Sequence, residues 1–278
     1  MSRTHLICEV DHQYVADRDC LDCAKHRLLR VDRDGKARHC QYPYPYIAAC
    51  TDKGNRQGAG VSATMIATDC IRKSVLDSRI DYPLYPHELQ ASIKGTAQHA
   101  YFERFNEDGI LAEVRLVKQM PSGRYISGQI DRYLAWAHRI EDYKFKSEKT
   151  LPTKPPLQYV GQQNIYRYML ETGCTILESG EVIPPQEPIT ELALFPSNHM
   201  DWNELLCPLW PLSRTEWFIE SMLDIFDAAD KDSAYVPPRQ YTQPETTNFC
   251  KNWCPIWRQC CTLGGETRDL FVEALSEH

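Results

Sequence analysis

The chain has 278 residues, 42% of them hydrophobic and 25% charged, a composition that excludes wholesale disorder and suits a core built without disulfides. Its formal charge of −7 excludes a broadly basic surface, although one local groove could still hold nucleic acid. No run of about 18 apolar residues is present, and Met1-Ser2-Arg3-Thr4-His5 leads into no apolar leader, so a soluble cytoplasmic protein without a membrane partner is expected.

Residues 1–60 are rich in Cys, His and charge, show little helical periodicity, and end in the run Gly54-Asn55-Arg56-Gln57-Gly58-Ala59-Gly60. This pattern predicts a small module and a linker ahead of a main domain over residues 61–278. Ser62 can cap a helix running through Ile71 and Leu76. After the Tyr82-Pro83 and Tyr85-Pro86 breaks, a second helical segment continues from His87 towards Phe105. The period then changes: Ile110 to Lys118, Tyr125 to Trp136 and Arg139 to Phe145 predict three consecutive antiparallel strands. Gln158 to Glu171 returns to helix, stopped by Gly173, and Ile189 to Phe195 is a further short strand. Ser213-Arg214-Thr215-Glu216 reads as a capping box for a helix reaching about Asp230. Tyr235 to Phe249, with three prolines, is expected to be extended. The class is α/β.

The sharpest chemistry lies on the middle strands. Asp142 and Lys144 are two apart, so a strand points both side chains to one face. Gly128-Gln129-Ile130-Asp131 lies on the strand before. Carboxylates of this kind bind Mg²⁺ or Mn²⁺ across a scissile phosphate, and an adjacent lysine can orient the attacking water. Apolar neighbours (Ile130, Leu134, Ile140) argue against a merely solvated, charged face.

Gly95-Thr96-Ala97-Gln98-His99, Glu113, Gly128-x-x-Asp131, Asp142-Tyr143-Lys144 and Gln162-x-x-x-Tyr166 arrive in that order. The series resembles the RecB-like branch of the PD-(D/E)XK nucleases. The resemblance implies a restriction-endonuclease-like core, a mixed sheet flanked by helices. It further implies that His99, Asp131 and Asp142, with the backbone carbonyl of Tyr143, ligate Mn²⁺ or Mg²⁺. Lys144 would be the catalytic lysine, Gln162 and Tyr166 would lie beside the DNA, and Glu113 would support the site.

Twelve cysteines occur, five before residue 51 and four after residue 249. Clustered thiols in a reducing compartment point to metal rather than disulfides. Cys250-x3-Cys254-x5-Cys260 supplies three soft ligands, and Cys70 offers a fourth; a cluster or zinc would fit. One cysteine before the nuclease core and three after it resembles the CRISPR-associated iron–sulfur exonucleases and related helicase–nucleases, which implies a 4Fe–4S cluster tying the chain ends together. The first gap is x3 where that family has x2, and Cys261 sits beside Cys260, so either can be the ligand; Cys260 preserves the x5 gap. The implied activity is trimming of single-stranded or frayed DNA ends, with a CRISPR integrase complex or phage recombination proteins as partners. The alternative is a catalytically weak relative that binds DNA ends or an integrase.

Cys8-x3-His12-x7-Cys20-x2-Cys23 outlines a zinc knuckle in the first module. His5 and His26 compete with His12 for its place, and Cys40 or Cys50 could replace either upstream ligand. Cys174 and Cys207 have no partner at ligand spacing and are expected to be buried as small hydrophobes. The run Tyr42-Pro43-Tyr44-Pro45-Tyr46 is expected to be an extended segment packed on the domain.

Overall fold

Polar hairpins and cysteines, rather than a large apolar core, organise the first fifty residues. The computed structural model describes residues 5–52, 60–68, 70–80, 82–105, 109–145, 151–198, 201–239, 250, 254, 256–263, 265, 266 and 268. Strand β1 (His5–Ile7) pairs antiparallel with β2 (Tyr14–Ala16), and helix α1 (Asp17–His26) follows directly. Arg27, in the left-handed region at φ 50°, turns the chain into the hairpin of β3 (Leu29–Val31) and β4 (Ala37–His39). Helix α2 (Tyr44–Thr51) begins after Pro43 and places Pro45 in its first turn, where no N–H is required. Two helices where none was expected correct the sequence reading: α1 has a polar composition, and its buried positions are Cys23 and Ala24. The tyrosine run is likewise the start of α2 rather than an extended segment, with Tyr42 stacked on Tyr46 at 5.0 Å.

The module rests on the chain around residues 84–87. The Ile7 N–H donates to Leu84 O at 2.8 Å, Tyr46 Oη donates to Pro86 O at 2.8 Å, and His87 Nδ1 lies 2.6 Å from Glu9.

The main domain opens on β5 (Val61–Ser62). Ser62 Oγ accepts the Met65 N–H and caps helix α3 (Ala63–Ile66), as expected, but the helix stops there. A break runs to Cys70, which is extended at φ −147° and precedes helix α4 (Ile71–Arg79). A 3₁₀ turn (Pro86–Leu89) leads into α5 (Gln90–Phe102). The three expected strands follow as β6 (Ile110–Gln119), β7 (Tyr125–Leu134) and β8 (Arg139–Phe145), and then α6 (Leu157–Glu171). Gly173, at φ 81°, occupies the left-handed position that ends α6. Short strands β9 (Cys174–Ile176), β10 (Val182–Ile183) and β12 (Leu205–Leu206) join the longer β11 (Glu191–Ser197).

Helix α7 (Leu212–Lys231) starts after Pro211 and uses no side-chain cap, so the expected capping box does not form. Glu216, its acidic member, instead accepts the Tyr168 hydroxyl at 2.6 Å. Helix α8 (Trp257–Thr262) is the last element among the described residues.

Eight strands make one sheet, in the order β10-β9-β6-β7-β8-β11-β12, with β5 on β7. The pairings are antiparallel except β8 with β11 and β5 with β7, a mixed α/β sheet. Its core joins Ile130, Ile140 and Leu194 of the sheet to Ile165 and Met169 of α6 and Phe218 of α7, all fully buried. Cys174 and Cys207 lie in this core, as expected of small hydrophobes.

One irregularity decides where chemistry can happen. The β7–β8 ladder pairs only residues 132–134 with 139–141. Towards the start of β7 its edge is taken by β5, at Ile126 and Ser127. Between these two contacts β7 and β8 part, at the position where the register would set Asp131 across from Asp142.

Candidate active site

The parting of β7 and β8 leaves backbone groups without ladder partners, and a side chain takes one of them. Asp131 Oδ2 accepts the Tyr143 N–H at 2.7 Å, holding the strands in register where no backbone pair does. On the other side of β7, Glu113 of β6 is bracketed by the pairs Ala112–Arg132 and Val114–Ile130 and so stands across from Asp131. Glu113 has φ 53°, a conformation costing a non-glycine residue about 1–3 kcal/mol. Glu113, Asp131 and Asp142 thus form a row across three neighbouring strands.

Helix α5 brings His99 over this row. His99 Nδ1 is 2.7 Å from Glu113 Oε1 and 3.7 Å from Asp131 Oδ1. One ligand atom from each of His99, Glu113 and Asp131 lies within 4.8 Å of the other two. Imidazole and two carboxylates suit Mn²⁺ or Mg²⁺, so the donor set fits such an ion. The hydrogen bond that His99 makes to Glu113 raises the His99 pKa against the opposing effect of burial. Burial, reinforced by the charge of Asp142, lifts the Asp131 carboxyl well above the usual range.

Asp142 is in a different relation to the site. Its carboxylate is 1% exposed and lies 2.7 Å from Lys144 Nζ, which also sits over the Tyr159 ring at 5.3 Å. Burial alone would lower the Lys144 pKa, but Asp142 and Asp131 outweigh it and raise it, so the ammonium stays charged. Of the residues read from the sequence as ligands, His99 and Asp131 converge with Glu113, while Asp142 is engaged by the lysine. The Tyr143 N–H serves Asp131, and its hydroxyl donates to Glu141 Oε2 at 2.8 Å.

Gln162 and Tyr166 lie on α6 as expected. Gln162 Nε2 donates to the Tyr166 hydroxyl oxygen at 2.7 Å and approaches Thr64 Oγ1 at 3.3 Å. Gly128 explains itself here: a Cβ at that position would stand 2.4 Å from Tyr166 Cε1. The glycine lets the tyrosine ring lie against β7.

Several members of the site carry no sequence signal of their own. Gln129 donates to Glu113 Oε2 at 2.8 Å, and only its place two residues before Asp131 on one strand face hints at it. Phe102, Tyr143, Phe145 and Trp202 pack edge-on and tilted around His99 and α5, from segments far apart in the chain.

The thiols gather in two places. Cys70, at the start of α4, Cys250 and Cys254 are buried, and Cys260 and Cys261 are partly buried nearby. Burial and the neighbouring thiols push Cys250 up to about 12. Cys254 packs with Leu76 and Ile256, and Cys260 borders the same cluster. In the first module Cys8 and Cys23 are buried and Cys20 and Cys40 partly so, while the His12 Nδ1 lies 3.2 Å from the Tyr85 hydroxyl.

No protein-family description matches the chain, and no curated protein matches it. Among solved structures, that of SSO0001 has a TM-score of 0.48 and 12% identity over 76% of this chain and 90% of that one. No helix among the described residues is long and apolar enough to cross a membrane.

Proposed function

We propose that this chain is a divalent-metal-dependent deoxyribonuclease that hydrolyses phosphodiester bonds at single-stranded or frayed DNA ends. The observation that carries the reading is the meeting of His99, Glu113 and Asp131 beside the buried Asp142–Lys144 pair at the parting of two strands. The order of the motifs along the chain, similar to that of RecB-like nucleases, supports the same conclusion.

His99, Glu113 and Asp131 would hold a Mn²⁺ or Mg²⁺ ion, which would supply positive charge for the scissile phosphate and lower the pKa of the attacking water. The Asp142 carboxylate fixes the Lys144 ammonium in place, where it can orient the attacking water or meet developing negative charge. Tyr166, braced by Gln162, walls the site from the α6 side.

Cys70, Cys250, Cys254 and Cys260 fit a 4Fe–4S cluster in donor type, burial and proximity, with Cys261 as the alternative to Cys260. Such an enzyme suits the processing of DNA ends before integration in CRISPR adaptation, or phage recombination.

The test is degradation of end-labelled single-stranded DNA with Mn²⁺ or Mg²⁺, comparing wild type with Asp142→Ala, both prepared anaerobically with matched iron content. Metal-dependent cutting by the wild type alone is the expected result. No cutting by cluster-loaded wild type on single-stranded or duplex ends would replace the nuclease by a protein that binds DNA ends or an integrase.

A further inference from the structure

The first module contains four cysteines that the proposed nuclease does not use. Cys20 and Cys23 are three apart on α1 and so share one face of the helix. Cys8 directly follows β1, and Cys40 directly follows β4, so each hairpin delivers one thiol to that face. No disulfide joins any of them.

Two contacts bring together the segments that carry these thiols. Arg30 Nη1 donates to Asp11 Oδ2 at 3.0 Å, tying the second hairpin to the loop after Cys8, and the Tyr42 hydroxyl donates to Glu9 Oε1 at 3.3 Å, tying the residues after Cys40 to the same loop. Cys8 and Cys23 are buried, and Cys20 and Cys40 are partly buried.

Among the described residues, apolar contacts do little to hold the second hairpin, which the Arg30–Asp11 ion pair ties to the first loop. Every residue of β4 is exposed, and in β3 only Arg30 is partly covered, with Leu29 and Val31 facing water. Apolar burial therefore cannot fix this hairpin, and a bridging ion can.

We propose that Cys8, Cys20, Cys23 and Cys40 bind one Zn²⁺ as a tetrathiolate site, and that the ion fastens the module against the segment that starts α5. Four thiolates are the soft, tetrahedral set zinc takes in structural sites. His12 is left out of the set: its ring lies against Tyr85, and Cys40 completes four thiolates without it. Among the described residues only His99, Glu113 and Asp131 lie mutually within 4.8 Å, so zinc binding draws the four sulfurs closer by side-chain rotation. The grip on α5 runs through contacts already formed, from Ile7 to Leu84, from Tyr46 to Pro86, and from Glu9 to His87.

The test is elemental analysis of the full-length protein, anaerobically purified, with zinc and iron counted separately, together with cobalt substitution. Wild type should retain one equivalent of zinc, and cobalt should give the sulfur-to-metal charge-transfer and visible bands of a tetrahedral thiolate site. Cys40→Ala should lose that zinc, whereas His12→Ala, and Cys254→Ala in the other thiol group, should keep it. Cys40→His should keep the metal with shifted cobalt bands, which separates loss of a ligand from loss of the fold. Wild type without zinc, zinc that survives Cys40→Ala, zinc that leaves with His12→Ala or Cys254→Ala, or iron bound through these four cysteines would each overturn the assignment.

Discussion

Asp142 and Lys144 form an asymmetric pair: the carboxylate is 1% exposed, whereas the lysine side chain keeps 19% of its surface. Removing the lysine strands a buried charge, and Lys144→Met should cost on the order of 3 kcal/mol in urea unfolding. Asp142→Asn should cost less, because the freed ammonium can reach water. Equal losses in the two variants would mean that burial does not govern the pair. Gly128 makes a second residue-scale case. Gly128→Ala would drive a methyl group into the Tyr166 ring, and overpacking of this kind costs about 1–3 kcal/mol. Shrinking the ring partner in Gly128→Ala/Tyr166→Leu should recover part of that loss in thermal unfolding, and no recovery would place the strain elsewhere. Proton linkage gives a third prediction. Asp131 and His99 both have raised pKa values in the fold, so their contribution is complete below the unfolded values and is lost as pH rises through the folded ones. Metal-free protein should therefore lose stability from these groups on going from mildly acidic to neutral and alkaline pH. Mn²⁺ replaces the same protons, so the rise in melting temperature on adding it should grow with pH. A Mn²⁺ effect flat across that range would remove the two residues from the binding site.

Helix α5 carries His99 yet has no fully buried residue, so its own apolar face does not fix it. It is held at its start by the first module, through residues 84–87, and at its end by the aromatic group of Phe102, Tyr143, Phe145 and Trp202. Phe102→Ala should accordingly weaken Mn²⁺ binding by roughly 10-fold, the scale of lost support around a metal ligand. Its unfolding temperature should barely change, and calorimetric titration with Mn²⁺ reads the first effect directly. A large loss of stability with unchanged affinity would show that the aromatic group serves the core and not the site. The same elements show what the sequence could express. Strands β6, β7 and β8 were legible because seven to ten residues suffice for a period of two to appear. Strands β5, β9, β10 and β12 have two or three residues each and can show no period. Helix α1 was hidden because cysteine and alanine form its buried face, and the cap expected at Ser213 failed because Glu216 bonds Tyr168 instead. The site residues on long strands could be found by spacing, whereas Trp202 and Gln129 are defined by what folds against them.

At the scale of the whole molecule, the described residues of the C-terminal segment return to α4 and none of them pairs with the sheet. Arg72 is 1% exposed and donates to Pro237 O at 2.9 Å and Cys260 O at 3.2 Å. Arg79 donates to the carbonyls of Ala229, Asp232, Ser233 and Tyr235. Around them lies a small cluster of Leu76, Cys254 and Ile256, separate from the main core that seats β6 to β8 against α6 and α7. Two assemblies with separate cores should open separately, the one with less apolar burial first. Removing the proposed cluster from the Cys70 group by oxidation or chelation should therefore raise hydrogen exchange in peptides carrying Cys254, Cys260 and α4. Exchange in β6, β7 and β8 should stay slow, since Ile130, Ile140 and Leu194 remain packed on α6. Arg72→Met should reproduce the pattern with the metal in place, because it removes two bonds to the returning segment and leaves the sheet core untouched. Simultaneous loss of protection in the sheet would instead make the thiol group part of a single cooperative unit, and metal loss would then abolish the active-site geometry together with the C-terminal contacts.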